Sequence, residues 1–275
     1  MDIGTAKVTP EEKARVRHHM LDLREPGEDF SAGDYQKLAR EALDEIRSCG
    51  ALPFIIGGTG FYLKALIDGL FQGPGRSEEL RARMRKIISR RGSRTIHRAL
   101  KRIDPNSADR IAENDLERVI RAYEVYLISG KSISSWQQEP RDSLKGYRWL
   151  KLGINVPRQL LYERINRRVE EMFKIGLPEE VDNLLKSFPR TSQAFKAIGY
   201  SQTAEYLEGK LTLSQAIDAT QMESRRYAKR QLTWFRSDTD IVWLDGRLKA
   251  EELLLEAQAR IAEFLRSAGL SPNAE

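Results

Sequence analysis

Five apolar residues, Leu52-Pro53-Phe54-Ile55-Ile56, run directly into Gly57-Gly58-Thr59-Gly60, and Phe61 to Leu70 then reads as a helix. This order constrains the fold strongly, because strand, glycine turn and helix in succession form half of a βαβ unit. The turn also carries chemistry. Glycines without Cβ let backbone N–H groups approach an anion closely, and Thr59 adds a hydroxyl at the start of a helix whose dipole favours negative charge. A phosphate or diphosphate contact is one reading; a tight turn needing positive φ is the other, and four residues alone leave both open. The complete phosphate-loop pattern G-x-x-x-x-G-K-[ST] does not occur. Gly130-Lys131-Ser132 supplies its second half, but Val125 stands where the first glycine belongs.

The remaining pattern extends this motif into an α/β domain with a helical insertion. Met20 to Leu23 is expected as a short strand. Ser31 opens a helix with Tyr35, Leu38, Ala42 and Ile46 at spacings of three and four, and Gly50 closes it. Ser77 to Lys131 is helical and basic, broken at Gly92 and at Asp104-Pro105. Tyr147 to Val156 and Ile241 to Leu244 read as further strands. Arg158 to Phe173, Pro178 to Phe188, Leu213 to Arg236 and Ala250 to Leu265 read as helices. The expected division is a core of residues 1–75 and 145–275 and a helical, basic insertion of residues 76–144.

Charge is unevenly placed. The net charge of +6 averages over residues 76–236, which hold 33 basic and 20 acidic side chains, and over acidic segments on either side. A basic middle suggests a polyanion-binding surface. The strongest stripe lies on the helix ending at Arg236. At about 100° per residue, Arg225, Arg226, Lys229, Arg230, Thr233 and Arg236 fall within roughly 140°, opposite Leu213, Ile217, Tyr227, Ala228, Trp234 and Phe235. That side is not purely apolar, since Thr220, Ser224 and Gln231 share it, but it is expected to pack. A stripe of this kind suits nucleic-acid phosphates. Arg118 with Arg121, and Arg164 with Arg168, are further pairs spaced to hold phosphate oxygens, or else to pair with a nearby Glu117 or Glu171. His18 and His19, adjacent on an expected strand, would point to opposite faces and make a poor metal ligand pair. Cys49 is the single cysteine, so no internal disulfide forms, and no apolar run approaches the ~18 residues of a membrane helix. A cytoplasmic, monomeric enzyme without membrane contact is the expectation.

Five ordered motifs resemble the tRNA dimethylallyltransferases, also called tRNA isopentenyltransferases. They are Met1-Asp2-Ile3-Gly4-Thr5-Ala6-Lys7; His18-His19-Met20-Leu21-Asp22 with Phe30-Ser31-Ala32; Ile56-Gly57-Gly58-Thr59-Gly60-Phe61-Tyr62; Asn114-Asp115 through Ser129-Gly130-Lys131; and Ala197-Ile198-Gly199-Tyr200 with Ala228 to Arg236. The resemblance implies a parallel-sheet core like that of the P-loop NTPases. It also implies transfer of a dimethylallyl group from dimethylallyl diphosphate to the N6 amine of the adenosine 3′ of the anticodon, with magnesium assisting. By the same resemblance Thr59 and Arg168 are catalytic, and Gly57, Gly58, Gly60 and Arg81 bind substrate. Arg118, Arg121, Lys196, Gly199, Tyr200, Arg226, Lys229, Arg230, Gln231, Thr233 and Arg236 grip the anticodon stem-loop.

One departure is large. Members of the family open with a strand, a G-P-T-x-x-G-K-T loop and its helix, then a second strand ending in an Asp taken as the general base. In this sequence all of that, including the magnesium ligands, would precede Met1. Smaller departures are Arg17, where the family places Pro, and Lys196 and Ser201, where Arg is frequent. The expectation is a truncated reading of a normal gene, because the remaining motifs are intact, and hence a chain inactive or weakly active by itself and poorly soluble. Two alternatives are an isopentenyltransferase acting on free adenine nucleotides and a non-catalytic tRNA-binding remnant. The basic insertion and the Lys229 to Arg236 stripe speak against the first.

Overall fold

A computed structural model describes residues 1–269 of the 275. The chain divides into two compact units, Met1–Lys64 with Gly146–Glu275, and Ala65–Lys145.

In the first unit, α1 (Pro10–Arg15) and α2 (Ala32–Ser48) both start on capping boxes, Thr9 with Glu12 and Ser31 with Asp34. Helix α2 buries Ala39 and Leu43. The glycine turn leads into α3 (Gly60–Ile67), which runs across the boundary between the units. In the second unit follow α4 (Glu78–Arg91), α5 (Ser93–Ile103), α6 (Pro105–Arg110), α7 (Leu116–Ser129) and α8 (Ile133–Trp136). The chain returns to the first unit as β1 (Lys151–Asn155), α9 (Arg158–Lys174), α10 (Leu177–Ser187), a 3-10 turn (Gln193–Lys196), α11 (Tyr200–Leu207), α12 (Leu213–Phe235), β2 (Ile241–Asp245) and α13 (Ala250–Ser267). Strands β1 and β2 pair in parallel, Lys151 opposite Ile241 and Asn155 opposite Asp245. The expected α/β class therefore holds, with many helices and a small parallel sheet.

Each unit has its own core. In the first, Val169, Met172 and Phe173 of α9 meet Leu177 and Val181 of α10, Phe195, Tyr200 and Ala204, and Ala216 of α12; Met1 and Ile3 pack on this cluster. In the second, Ile96 and Leu100 of α5 meet Ala108, Val119, Ala122, Val125 and Ile133. Asp104 is buried there because its carboxylate accepts from the amides of Ser107 and Ser134, both at 3.0 Å, which ties α6 to α8. No helix among the described residues is long and apolar enough to cross a membrane.

Two expected strands are not formed. Residues 20–23 bend, with Met20 at φ +64° and Asp22 at φ +56°, and His18 and His19 lie in irregular backbone beside them. The bend lets Asp22 pair with Lys7 at 2.5 Å and Lys13 at 2.9 Å. Residues 52–56 are irregular as well, with Phe54 and Ile56 exposed. A strand exists only by pairing with a neighbour, and the one sheet among the described residues consists of β1 and β2.

Candidate active site and nucleic-acid interface

Helix α9 carries Arg164, Arg167 and Arg168 on one side because residues three and four apart share a helix face. With Glu171, Met172 and Ile175 they form one wall of a pocket of about 640 Å³; Asp2, Ile3, Ala6 and Lys7 form the other. Arg164 Nη2 donates to the Gly246 carbonyl at 3.5 Å. Lys7 bridges Asp2 and Asp22, which raises the Lys7 ammonium above its ordinary value and lowers Asp22 to about 2. The same bond from Lys7 holds the Asp2 carboxyl below its usual range, against a smaller opposing effect of burial. Three guanidinium groups and an ammonium therefore face one cavity, whose own carboxylates are Asp2 and Glu171. Such a site suits a compact polyanion.

Helix α12 packs against α9 through Arg225, whose Nη1 donates to Asn166 Oδ1 at 2.5 Å, and through Gln221, which reaches the Asn166 carbonyl and Glu170. Arg225 also lies over the Tyr162 ring. The expected cationic stripe is thus divided: Arg225 is turned inward, while Arg226, Lys229, Arg230, Thr233 and Arg236 remain exposed. Arg226, Lys229, Arg230, Thr233, Trp234 and Ser237 line a second open pocket of about 660 Å³. Arg226 pairs with Glu223 at 2.6 Å, Arg230 stands over Tyr227, and Arg236 donates to Asn155 Oδ1 at 3.4 Å.

The opposite side of α12 packs as expected over its first half, where Ala216 lies in the core and Ile217 packs against it, but not over its second half. Its buried residues are Ala216, Thr220 and Gln221, whereas Tyr227 and Trp234 stay 38% and 45% exposed. What they hold is the glycine turn. Gln231 Nε2 donates to the Gly58 carbonyl at 2.9 Å, and the Thr59 and Tyr227 hydroxyls lie 3.4 Å apart. A Cβ on Gly60 would sit 2.1 Å from Trp234 Cδ1. Close approach to the Trp234 ring therefore requires glycine at 60. Positive φ does not, since none of Gly57, Gly58 and Gly60 has it. Gly57 faces open space. Thr59 is exposed beside the cationic end of α12.

Other residues singled out in the sequence have partners of their own. Arg81 is buried, with Nε 3.0 Å and Nη2 3.2 Å from the Glu124 carboxylate and Nη1 3.2 Å from Glu117. Arg121 donates to Glu124 at 2.7 Å and to the carbonyls of Pro74 and Gly75. Burial raises the Glu124 carboxyl, but bonds from Arg81, the Ser77 amide and Arg121 outweigh it and hold the group below its ordinary value. Arg118 is exposed and pairs with Asp115 at 3.4 Å. Lys196 is exposed, Gly199 at φ +91° opens α11, and Tyr200 is wholly buried. Sequence reasoning missed Lys7 and Arg167 in the first pocket and the hold of Tyr227, Gln231 and Trp234 on the glycine turn. The i, i+4, i+7 spacing of that trio was the available signal.

Magnesium finds no cage in these residues. Among the described residues no three His, Cys, Asp or Glu side chains gather as metal ligands, and the pocket carboxylate Asp2 is already bonded to Lys7.

A family model described as IPP transferase matches residues 1–238. A tRNA dimethylallyltransferase of Koribacter versatilis is 48% identical over 246 residues, covering 90% of this chain and 80% of that protein. The crystal structure of a full-length tRNA isopentenylpyrophosphate transferase from Bacillus halodurans superposes with a TM-score of 0.69 at 39% identity, covering 97% of this chain and 84% of that one. A eukaryotic dimethylallyltransferase acting on tRNA shares the fold, with a TM-score of 0.78 at 23% identity over 99% of this chain and 71% of that one.

Proposed function

The chain belongs to the IPP transferase family, and on that premise we propose that its residues serve transfer of a dimethylallyl group to the N6 amine of the adenosine 3′ of the anticodon. The donor is dimethylallyl diphosphate. The N6 nitrogen attacks the allylic carbon, the bond from that carbon to the diphosphate oxygen breaks, and N6 gives up a proton to a base. Negative charge builds on the departing diphosphate. Arg164, Arg167, Arg168 and Lys7 stabilise it from fixed positions, where such donors act most strongly because they need no rearrangement during reaction. The observation that carries this reading is the convergence of those four cations on one pocket. No step is assigned to magnesium, since these residues offer it no donor set.

The target base must leave its stack to reach the pocket. Exposed Arg226, Lys229, Arg230 and Arg236 of α12 suit the phosphates flanking it, with Thr233 beside them and Thr59 toward the nucleotide. Arg118 and Lys196 are exposed cations proposed for further phosphates of the stem-loop. Arg81, Arg121, Gln231 and Gly199 contribute through the architecture that presents these groups, whereas the wholly buried Tyr200 has no part in that surface. A core of the P-loop NTPase kind belongs to the same proposal, and so does low activity of these 275 residues tested alone, since no G-x-x-x-x-G-K-[ST] loop is among them.

The test combines binding and transfer. The protein should bind an anticodon stem-loop that AMP does not displace, and should bind inorganic pyrophosphate in a manner lost on Arg168→Ala. Labelled dimethylallyl should move to the stem-loop far more slowly than with a full-length relative. Displacement of the stem-loop by AMP would favour a free-nucleotide enzyme; stem-loop binding without pyrophosphate binding would favour a non-catalytic RNA-binding protein.

A further inference from the structure

Tyr200 is 0% exposed although it follows a basic turn in sequence. Its hydroxyl donates to Glu180 Oε1. The other oxygen, Glu180 Oε2, accepts from the backbone amides of Asp2 at 2.7 Å and Ile3 at 2.9 Å. The Tyr200 ring fills the space beside Gly4, where a Cβ would come within 2.4 Å of Cε2. Ile3 packs on the same core as Tyr200. One carboxylate and one phenol on α10 and α11 therefore fix three consecutive residues of a remote segment, two by hydrogen bonds and one by contact.

That segment is itself tightly wound. The Ala6 amide donates to the Ile3 carbonyl and the Lys7 amide to the Asp2 carbonyl, both at 3.0 Å, and the Thr5 hydroxyl donates to the Met1 carbonyl at 2.9 Å. A turn closed by its own bonds moves as one piece, so anchoring Asp2, Ile3 and Gly4 also fixes Lys7. Asp2, Ile3, Ala6 and Lys7 of this turn line the pocket opposite the α9 arginines.

We propose that Glu180 and Tyr200 are positioning residues for the diphosphate pocket, holding the Asp2–Lys7 turn at the place where Lys7 and the α9 arginines converge on one anion. The proposal rests on the reading of that pocket as the diphosphate site. Neither residue touches the ligand. Both act through the turn, and the stem-loop surface of α12 has no share in their bonds.

Calorimetric titration with inorganic pyrophosphate, beside stem-loop binding, separates positioning from general support of the fold. Tyr200→Phe keeps the ring against Gly4 and removes only the hydroxyl; Glu180→Gln removes the charge that gathers both amides. Each is expected to weaken pyrophosphate binding roughly five- to tenfold, the scale of one or two lost hydrogen bonds, while the stem-loop affinity stays within about twofold. If Glu180→Gln does not fold, Tyr200→Phe carries the test by itself. Unchanged pyrophosphate affinity in the folded variants overturns the proposal, and so does an equal loss for both ligands, which marks a structural role. If the unaltered protein binds no pyrophosphate, or Arg168→Ala binds it as well as the unaltered protein does, the diphosphate reading falls first and this proposal with it.

Discussion

Arg81 and Glu124 meet in the interior of the second unit across 43 residues of sequence. Glu124 is 0% and Arg81 8% exposed, and the ring of donors around the carboxylate is completed by Ser77 and Arg121. Removing one member of such a pair leaves the other charge buried and uncompensated, a loss of about 3–5 kcal/mol. Arg81→Met should lower the urea midpoint of unfolding accordingly, and the double variant Arg81→Met with Glu124→Met should recover much of the loss. A destabilisation below about 1 kcal/mol for the single variant would mean that the pair is solvated. The family resemblance assigns Arg81 to substrate binding, and its contact with Glu124 is not visible in the sequence. An arginine in a basic stretch gives no local sign of a carboxylate 43 positions away. Tyr200 was opaque for the same reason, because Glu180, Asp2 and Gly4 surround it only after folding. The placement of Thr59 and Arg168 was legible, since a threonine among glycines stays exposed and an arginine in an i, i+4 pair shares a helix face with its partner and lines the same pocket.

Helix α12 joins the two proposed halves of the site, packing on α9 through one set of residues and holding the glycine turn through another. Its 3.6-residue periodicity made the element readable in advance, and in the structure a capping box of Thr212 with Gln215 starts it. The division of its charges was not readable, because Arg225 turns inward only once Asn166 and Tyr162 of α9 are beside it. The same limit misled at residues 52–56. Their apolar run has the composition of a strand, but a strand is a relation between two segments, and sequence shows only one of them. The exposed charges support a quantitative expectation. Each phosphate neutralised contributes roughly one unit to the slope of log affinity against log salt, or somewhat less for single-stranded contacts. Lys229→Ala should therefore weaken stem-loop binding and reduce the slope by about one. Arg81→Met, with its donors turned to Glu124, should leave the slope unchanged. Equal slopes for Lys229→Ala and the unaltered protein would remove α12 from the interface.

Two separate cores, each crossed by buried or half-buried carboxylates, give the whole molecule a defined response to acid. Burial raises Asp104, Glu124 and Glu180, but the donors on each outweigh it, and all three are held below their ordinary values of 3.8, 4.5 and 4.5. Asp104 and Glu124 lie in the second unit and Glu180 in the first. A carboxylate with a depressed folded pKa binds its proton more readily when unfolded. Its contribution is fully present above the unfolded value and is lost as pH falls through the folded one. The thermal midpoint should therefore stay level from pH 8 to about 5 and fall progressively below about 4.5. Tryptophan positions allow the units to be followed apart, because Trp136 lies in the second unit and Trp149, Trp234 and Trp243 lie in the first. Glu124→Gln removes one of the two depressed carboxylates of the second unit, leaving Asp104, and none from the first. Its Trp136 transition, read against a variant with that tryptophan replaced by Phe, should start lower at pH 7 and fall less steeply in acid, while the transition of the other three tryptophans keeps its acid slope. A Trp136 transition as steep in Glu124→Gln as in the unaltered protein would place the acid sensitivity of that unit elsewhere. Matched changes in both signals would show instead that the two cores unfold as one.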